Sequence, residues 1–241
     1  MPNVWDAMKK HQAEQAAKTA DRPQAVAEAE APPAPRPAPQ RPPEPPPDPP
    51  AAVPGTTPYR PWESPYRRLH KNWLYTDLQF VADLVARIVA SEGPISLRLT
   101  TERVRMAFGF GRAGERIRKR VLDAARASQG RGEIRIAGGP GWPGPFLWPA
   151  DLITAPVRTP EKGSAPRRIE DVPLEEIAEA AVLIVRGAGG IADEALVRQV
   201  SRLLGYERTG SEISDRVREA LGRLDSETRV VLRDGLYYPN P

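Results

Sequence analysis

Apolar residues recur at helical spacing in two long blocks of the chain, and the second block repeats the first. From residue 76 the pattern runs Val81, Leu84, Val85 and Ile88, then Val104, Ala107 and Phe108, then Ile117, Val121, Leu122 and Ala125. Each set marks one face of a helix, because positions three and four apart lie on the same side. From residue 172 the order returns as Ile177, Ala180, Ala181 and Ile184, then Leu196, Val197, Val200 and Leu204, then Ile213, Val217, Leu221 and Leu224. A constant spacing of 96 pairs Ile88 with Ile184, Gly93 with Gly189, Gly109 with Gly205, Arg112 with Arg208, Gly114 with Gly210 and Val121 with Val217. An ungapped register across three helices points to one module present twice.

Local signals bound the elements. Thr76-Asp77-Leu78-Gln79 is a capping-box pattern, and Tyr75 is placed to staple against Phe80. Glu92-Gly93-Pro94 stops the first helix, Ile95 to Leu99 alternates as a short strand, and Thr100 or Thr101 can cap a second helix. A third helix is predicted over about 113–128, followed by a strand at Glu133 to Ile136 and its return at Phe146-Leu147-Trp148. In the second module Pro173 suits a first helical position, Asp193 can cap the next helix, and Thr209-Gly210-Ser211-Glu212 forms a capping box for the third. Val230-Val231-Leu232 and Leu236-Tyr237-Tyr238 flank the hairpin signal Asp234-Gly235. Helix, short strand, helix, helix and hairpin is the order of a winged helix. The predicted fold class is therefore mainly α with small β-hairpins (α+β), with two tandem winged-helix domains at 76–150 and 172–241 and a linker at 151–171.

Gly109-Phe110-Gly111-Arg112-Ala113-Gly114 reads literally as G-x-G-x-x-G. The dinucleotide fingerprint needs a strand before it and a helix after it, whereas Thr101 to Phe108 has helical spacing. In the second copy the middle glycine is Glu207, so the shared requirement is a glycine at 109/205 and at 114/210. That suits a helix C-cap and a tight turn between helices.

The N-terminal third differs in kind. Residues 1–15 predict a short amphipathic helix whose Val4, Trp5 and Met8 form a narrow apolar stripe suited to docking on a protein partner. Residues 16–58, first Ala/Glu-rich and then Pro-rich, read as a disordered linker. In the strap at 59–75, Tyr59, Trp62, Tyr66, Trp73 and Tyr75 alternate with Arg60, Arg67, Arg68, His70 and Lys71. Such rings could stack on bases, but packing across the first module is the expected use of large aromatics.

Composition narrows the chemistry. The 241 residues include no cysteine and only two histidines, His11 and His70, which removes disulfides, thiol catalysis and ordinary zinc sites. No apolar run approaches a membrane span and no signal-peptide core is present, so the cytoplasm is the expected compartment. Charge is unevenly placed: residues 80–158 carry 13 Lys and Arg against 7 Asp and Glu, and residues 172–241 carry 9 against 12. A basic first module and an acidic second one predict polyanion contact by the first alone. A winged helix places its third helix in the major groove with the wing on the backbone, which selects Arg112, Arg116, Lys119, Arg120, Arg131 and Arg135 as the contacts. At the first four of these positions the second copy has Arg208, Glu212, Asp215 and Arg216.

Glu92-Gly93-Pro94-Ile95, the run Gly109 to Ile117, Phe146-Leu147-Trp148 and the second run Gly205 to Ile213 together resemble a C-terminal domain of unknown function carried by large bacterial superfamily-one helicase proteins. The likeness covers roughly residues 76–241 and implies winged-helix modules linked to DNA transactions. The chain has no G-x-x-x-x-G-K-[ST] phosphate loop, so any motor activity is expected from a partner. The expected function is non-catalytic nucleic-acid binding, DNA first with RNA open, and repeat 2 used for packing or partner docking. The alternative is a protein–protein interaction adaptor of a bacterial DNA-processing or regulatory complex without direct DNA contact. No enzyme activity, cofactor, metal or small-molecule substrate is expected.

Overall fold

The computed structural model describes residues 54–66, 69, 76–138, 144–224 and 229–240. The expected helix carrying Val4, Trp5 and Met8, most of the Pro-rich segment and the staple from Tyr75 lie outside these residues. Within them the fold is mixed α/β, with six α-helices and three small sheets.

The first strand, β1 (Thr56–Tyr59), precedes the first repeat. Helix α1 (Leu78–Glu92) begins where the Asp77 carboxylate accepts the Gln79 N–H at 3.1 Å, and it buries Val81, Leu84, Val85, Ile88 and Val89. Next come β2 (Ile95–Ser96) and α2 (Leu97–Phe108). The strand expected to reach Leu99 thus stops after two residues, and the cap is Ser96, whose hydroxyl accepts the Leu99 N–H at 3.1 Å. Thr100 and Thr101 are instead interior residues, their hydroxyls donating to the carbonyls of Ser96 and Leu97 at 3.0 and 2.7 Å. That internal satisfaction lets a buried threonine sit inside a helix, so the helix starts one turn earlier than the threonines suggest. At its end Gly109 adopts the left-handed conformation, φ 71°, of a helix C-cap. Helix α3 (Glu115–Gly130) follows, then the antiparallel pair β3 (Ile134–Ala137) and β4 (Phe146–Pro149). Strand β2 adds to the other side of β4, giving the order β2-β4-β3.

After β5 (Val157–Pro160), the same order returns as α4 (Leu174–Ala188), β6 (Ile191–Ala192), α5 (Asp193–Leu203), α6 (Ser211–Leu224), β7 (Val230–Arg233) and β8 (Leu236–Pro239). Asp193 opens α5 as its first residue, and Ala192 holds the cap position. The third sheet, β6-β8-β7, matches the second in order and direction. From α1 and α4 to β3 and β7, each element begins 96 residues after its counterpart, whereas β8 begins 90 after β4. The first hairpin is therefore six residues longer at its tip.

Residues 151–171 are more than a linker. Strand β5 pairs in parallel with β1, Thr56 opposite Val157 and Tyr59 opposite Pro160, so 56–58 also leave the linker assigned to them. Pro58 inside β1 and Pro160 at the end of β5 concealed this pairing; a two-stranded ribbon tolerates them because every strand in it is an edge. Ala155, Val157, Arg158, Ile169 and Asp171 are buried.

Between the repeats lies a polar seam. Arg158 donates to the carbonyls of Glu92 and Pro94 at 2.6 and 2.8 Å and to the Glu176 carboxylate at 2.6 Å. Arg167 reaches the same carboxylate at 2.5 Å. Burial alone would raise the Glu176 pKa, but the Arg167 and Arg158 guanidinia hold it below the ordinary value. Tyr59 bonds the Glu92 carboxylate, which Arg103 grips at 2.7 Å with both Nε and Nη2. Burial and the neighbouring Glu92 charge push the Tyr59 hydroxyl up to about 12. Its ring lies under the Arg167 guanidinium at 4.4 Å. Farther along, Asp171 accepts the Ser96 hydroxyl at 2.6 Å and Arg98 Nε at 3.1 Å.

Candidate nucleic-acid interface

Helix α3 is held by its inner face. Val121, Ala124, Ala125 and Ser128 are buried, and the Ser128 hydroxyl donates to the Ala82 carbonyl on α1 at 2.9 Å. The helical period then forces Arg116 and Lys119 outward, and Arg112 on the preceding turn is also exposed. These three cations form no ion pair or hydrogen bond with the described residues, while neighbouring Arg118 is engaged by Glu115 at 2.8 Å. The glycines at 111 and 114 have open space around a would-be Cβ, so nothing crowds the approach to this turn.

The other three candidates are placed differently. Arg120 is half-buried and donates to the Thr76 carbonyl, tying α3 to the start of α1. Arg135 donates to the Leu152 carbonyl at 3.0 Å and stacks 4.2 Å above the Trp148 ring. Both are expected contacts for nucleic acid; in the fold each packs its guanidinium on protein groups that a neighbouring segment brings within reach. Arg131 remains exposed but bonds Glu133 at 2.6 Å and Asp83 at 3.0 Å, and the Glu133 hydrogen bond raises its pKa. Of the six, Arg112, Arg116 and Lys119 are exposed and bonded to none of the described residues, Arg131 is exposed and ion-paired, and Arg120 and Arg135 are engaged by protein groups.

On the equivalent face of the second repeat, Arg208, Glu212 and Asp215 are exposed. Arg216 is 4% exposed and pairs with Glu219 at 2.8 Å. Two carboxylates stand where Arg116 and Lys119 stand in the first repeat.

The longer hairpin leaves the sheet through Gly138 and returns through Gly144, at φ 91° and 94°; its tip, 139–143, lies outside the described residues. Trp62, Tyr66 and Leu69 pack against the first core, while Trp73, Tyr75 and several strap cations are not described. Among the described residues no helix is long and apolar enough to cross a membrane.

Sequence reasoning missed the seam formed by Tyr59, Glu92, Arg158, Arg167, Asp171 and Glu176. One signal was available: Glu176 falls within the apolar stripe of α4, beside Ile177 and Ala180.

A family model described as a protein of unknown function (DUF3320) matches residues 75–119, from just before α1 into the start of α3. No curated protein matches the chain.

Proposed function

We propose that this chain is a non-catalytic nucleic-acid-binding protein, with duplex DNA as its ligand, built from two tandem winged-helix repeats and serving helicase-type DNA transactions. The repeated order of helix, strand, helix, helix and hairpin supports the winged-helix reading. The observation that carries the function is the set Arg112, Arg116 and Lys119: exposed, bonded to none of the described residues, and on the third helix and the turn before it, the part that a winged helix turns to the major groove. The longer first hairpin is the natural second contact, on the phosphate backbone.

Repeat 2 keeps the same backbone but presents Glu212 and Asp215, which would repel phosphate. In this reading it packs against repeat 1 and offers an acidic face to a protein. The same face supports an adaptor as the second reading.

Full-length protein carrying Arg116→Glu and Lys119→Glu separates the two. Duplex affinity should fall at least about tenfold, since two favourable phosphate contacts become repulsive. For wild type, log K against log salt should have a slope near about −3 if three phosphates are neutralised. Unchanged DNA retention with intact folding would refute the DNA reading, and partner capture that depends on Trp5 would then favour the adaptor.

A further inference from the structure

An open depression of about 370 Å³ between α5 and α6 of the second repeat has no part in the nucleic-acid reading. Arg198 and Arg202, one turn apart on α5, line it together with Arg218 of α6 and the hydroxyl residues Thr209 and Ser214. Its remaining polar groups are the carboxylates of Glu194 and Glu207. The duplication did not supply this set. At the counterpart positions of repeat 1 the three arginines are Glu102, Met106 and Leu122, and the two hydroxyl residues are Ala113 and Arg118. Repeat 2 therefore gathers guanidinia in a concave place at the same time as its outward helix face turns acidic.

The three arginines are unequally committed. Arg218 lies 3.2 Å from Asp193 and Arg198 lies 3.7 Å from Glu194, both as largely exposed pairs. Pairs of that kind hold little free energy and exchange readily for a better anion. Arg202 forms no ion pair or hydrogen bond with the described residues. A planar guanidinium presents donors that match two oxygens of a phosphate at once. The carboxylates work against a long polyanion, because a DNA strand laid here would meet Glu194 and Glu207 as well as the arginines. They suit a compact ligand with an anionic end and hydroxyl groups to donate.

We infer that this depression binds a small phosphate ester bearing hydroxyl groups, with the size and chemistry of a nucleoside monophosphate. Arg202 anchors the phosphate with Arg198 and Arg218, Thr209 and Ser214 donate to it, and the two carboxylates accept from the sugar hydroxyls. The site shares no residue with the α3 face, so the inference stands or falls apart from the DNA reading.

Calorimetric titration of the full chain at fixed ionic strength tests it, with adenosine 5′-monophosphate, inorganic phosphate and adenosine as probes. Saturable binding is expected for the monophosphate, weaker binding for phosphate, and none for adenosine. Arg202→Gln should weaken monophosphate binding about tenfold or more, the scale of a lost charge-assisted contact. Because Arg202 is exposed, its replacement leaves the core intact, which circular dichroism would verify. Arg116→Glu should leave the monophosphate isotherm unchanged. Absence of saturable heat, or an isotherm indifferent to Arg202→Gln, would overturn the assignment. So would duplex binding that depends on Arg202 without any monophosphate binding, since these arginines would then serve the DNA backbone.

Discussion

A carboxylate with no solvent exposure survives inside this fold because two guanidinia reach it, both from the segment joining the repeats. Glu176 accepts from Arg158 at 2.6 Å and from Arg167 at 2.5 Å, and a buried charge so paired is costly to disturb. Glu176→Gln should destabilise the protein by about 3–5 kcal/mol, the range for stripping one partner from a buried pair, measurable by urea unfolding. The pH dependence has a definite sign. The folded-state pKa of Glu176 lies below its unfolded value near 4.5, so the unfolded chain binds the proton first as pH falls. The contribution of Glu176 is complete above the unfolded pKa and disappears as pH drops through the folded one. Wild-type stability should therefore decline on the acid side, below about pH 5, and the glutamine variant should show a shallower decline. At this scale the sequence was half legible: an acid within an apolar stripe announces a buried partner, but Arg158 and Arg167 sit in an aperiodic stretch with prolines nearby. The residues proposed to face DNA divide likewise. Periodicity placed Arg116 and Lys119 outward, yet it could not foresee the Thr76 carbonyl beside Arg120 or the Trp148 ring beneath Arg135.

Among the elements, helices were the most legible because each carries several buried residues at the same period, and no single misread position alters the pattern. The strands β2 and β6 have two residues each, and β5 has four with a proline at its end; their pairing is decided by distant chain, which alternation over so few positions does not encode. Turns fall between these cases. Gly205 follows α5 at φ 94°, and a Cβ there would lie 2.4 Å from Pro160 Cγ at the end of β5. Its conservation in both repeats by spacing thus conceals two jobs, since Gly109 serves as a left-handed C-cap while Gly205 also admits the inter-repeat ribbon. Gly205→Ala must bear the left-handed conformation and displace the proline, at a cost of about 1–3 kcal/mol for the backbone strain. Gly114→Ala, where φ is −77° and the space is open, should change the urea midpoint far less. Equal effects at the two glycines would remove Pro160 from the account.

For the whole molecule, the decisive question is whether the repeats fold as one body. The two largest clusters of buried apolar residues, each centred on one repeat, would allow separate unfolding. Against that stand the β1-β5 ribbon, the Asp171 contacts to Ser96 and Arg98, and Arg158, whose guanidinium binds main-chain oxygens of the first repeat and a side chain of the second. Arg158 is 6% exposed, so these bonds form in a low-dielectric setting where losing them leaves unsatisfied acceptors on both sides. The described residues should therefore melt in one cooperative step, with the van't Hoff enthalpy equal to the calorimetric enthalpy. Arg158→Met keeps much of the buried volume but removes every one of these donors. That variant should lower the melting temperature and broaden or split the transition, giving a van't Hoff enthalpy below the calorimetric one. A single sharp transition at unchanged temperature would mean that the seam is incidental to the coupling. Coupling of this kind would hold the acidic repeat against the basic one, so the asymmetry of charge would belong to both repeats together. On the proposed function, a nucleic acid approaching Arg116 would then be oriented by repulsion from repeat 2 as well as by attraction to repeat 1, and Arg158→Met should relax that orientation while leaving Arg112, Arg116 and Lys119 in place.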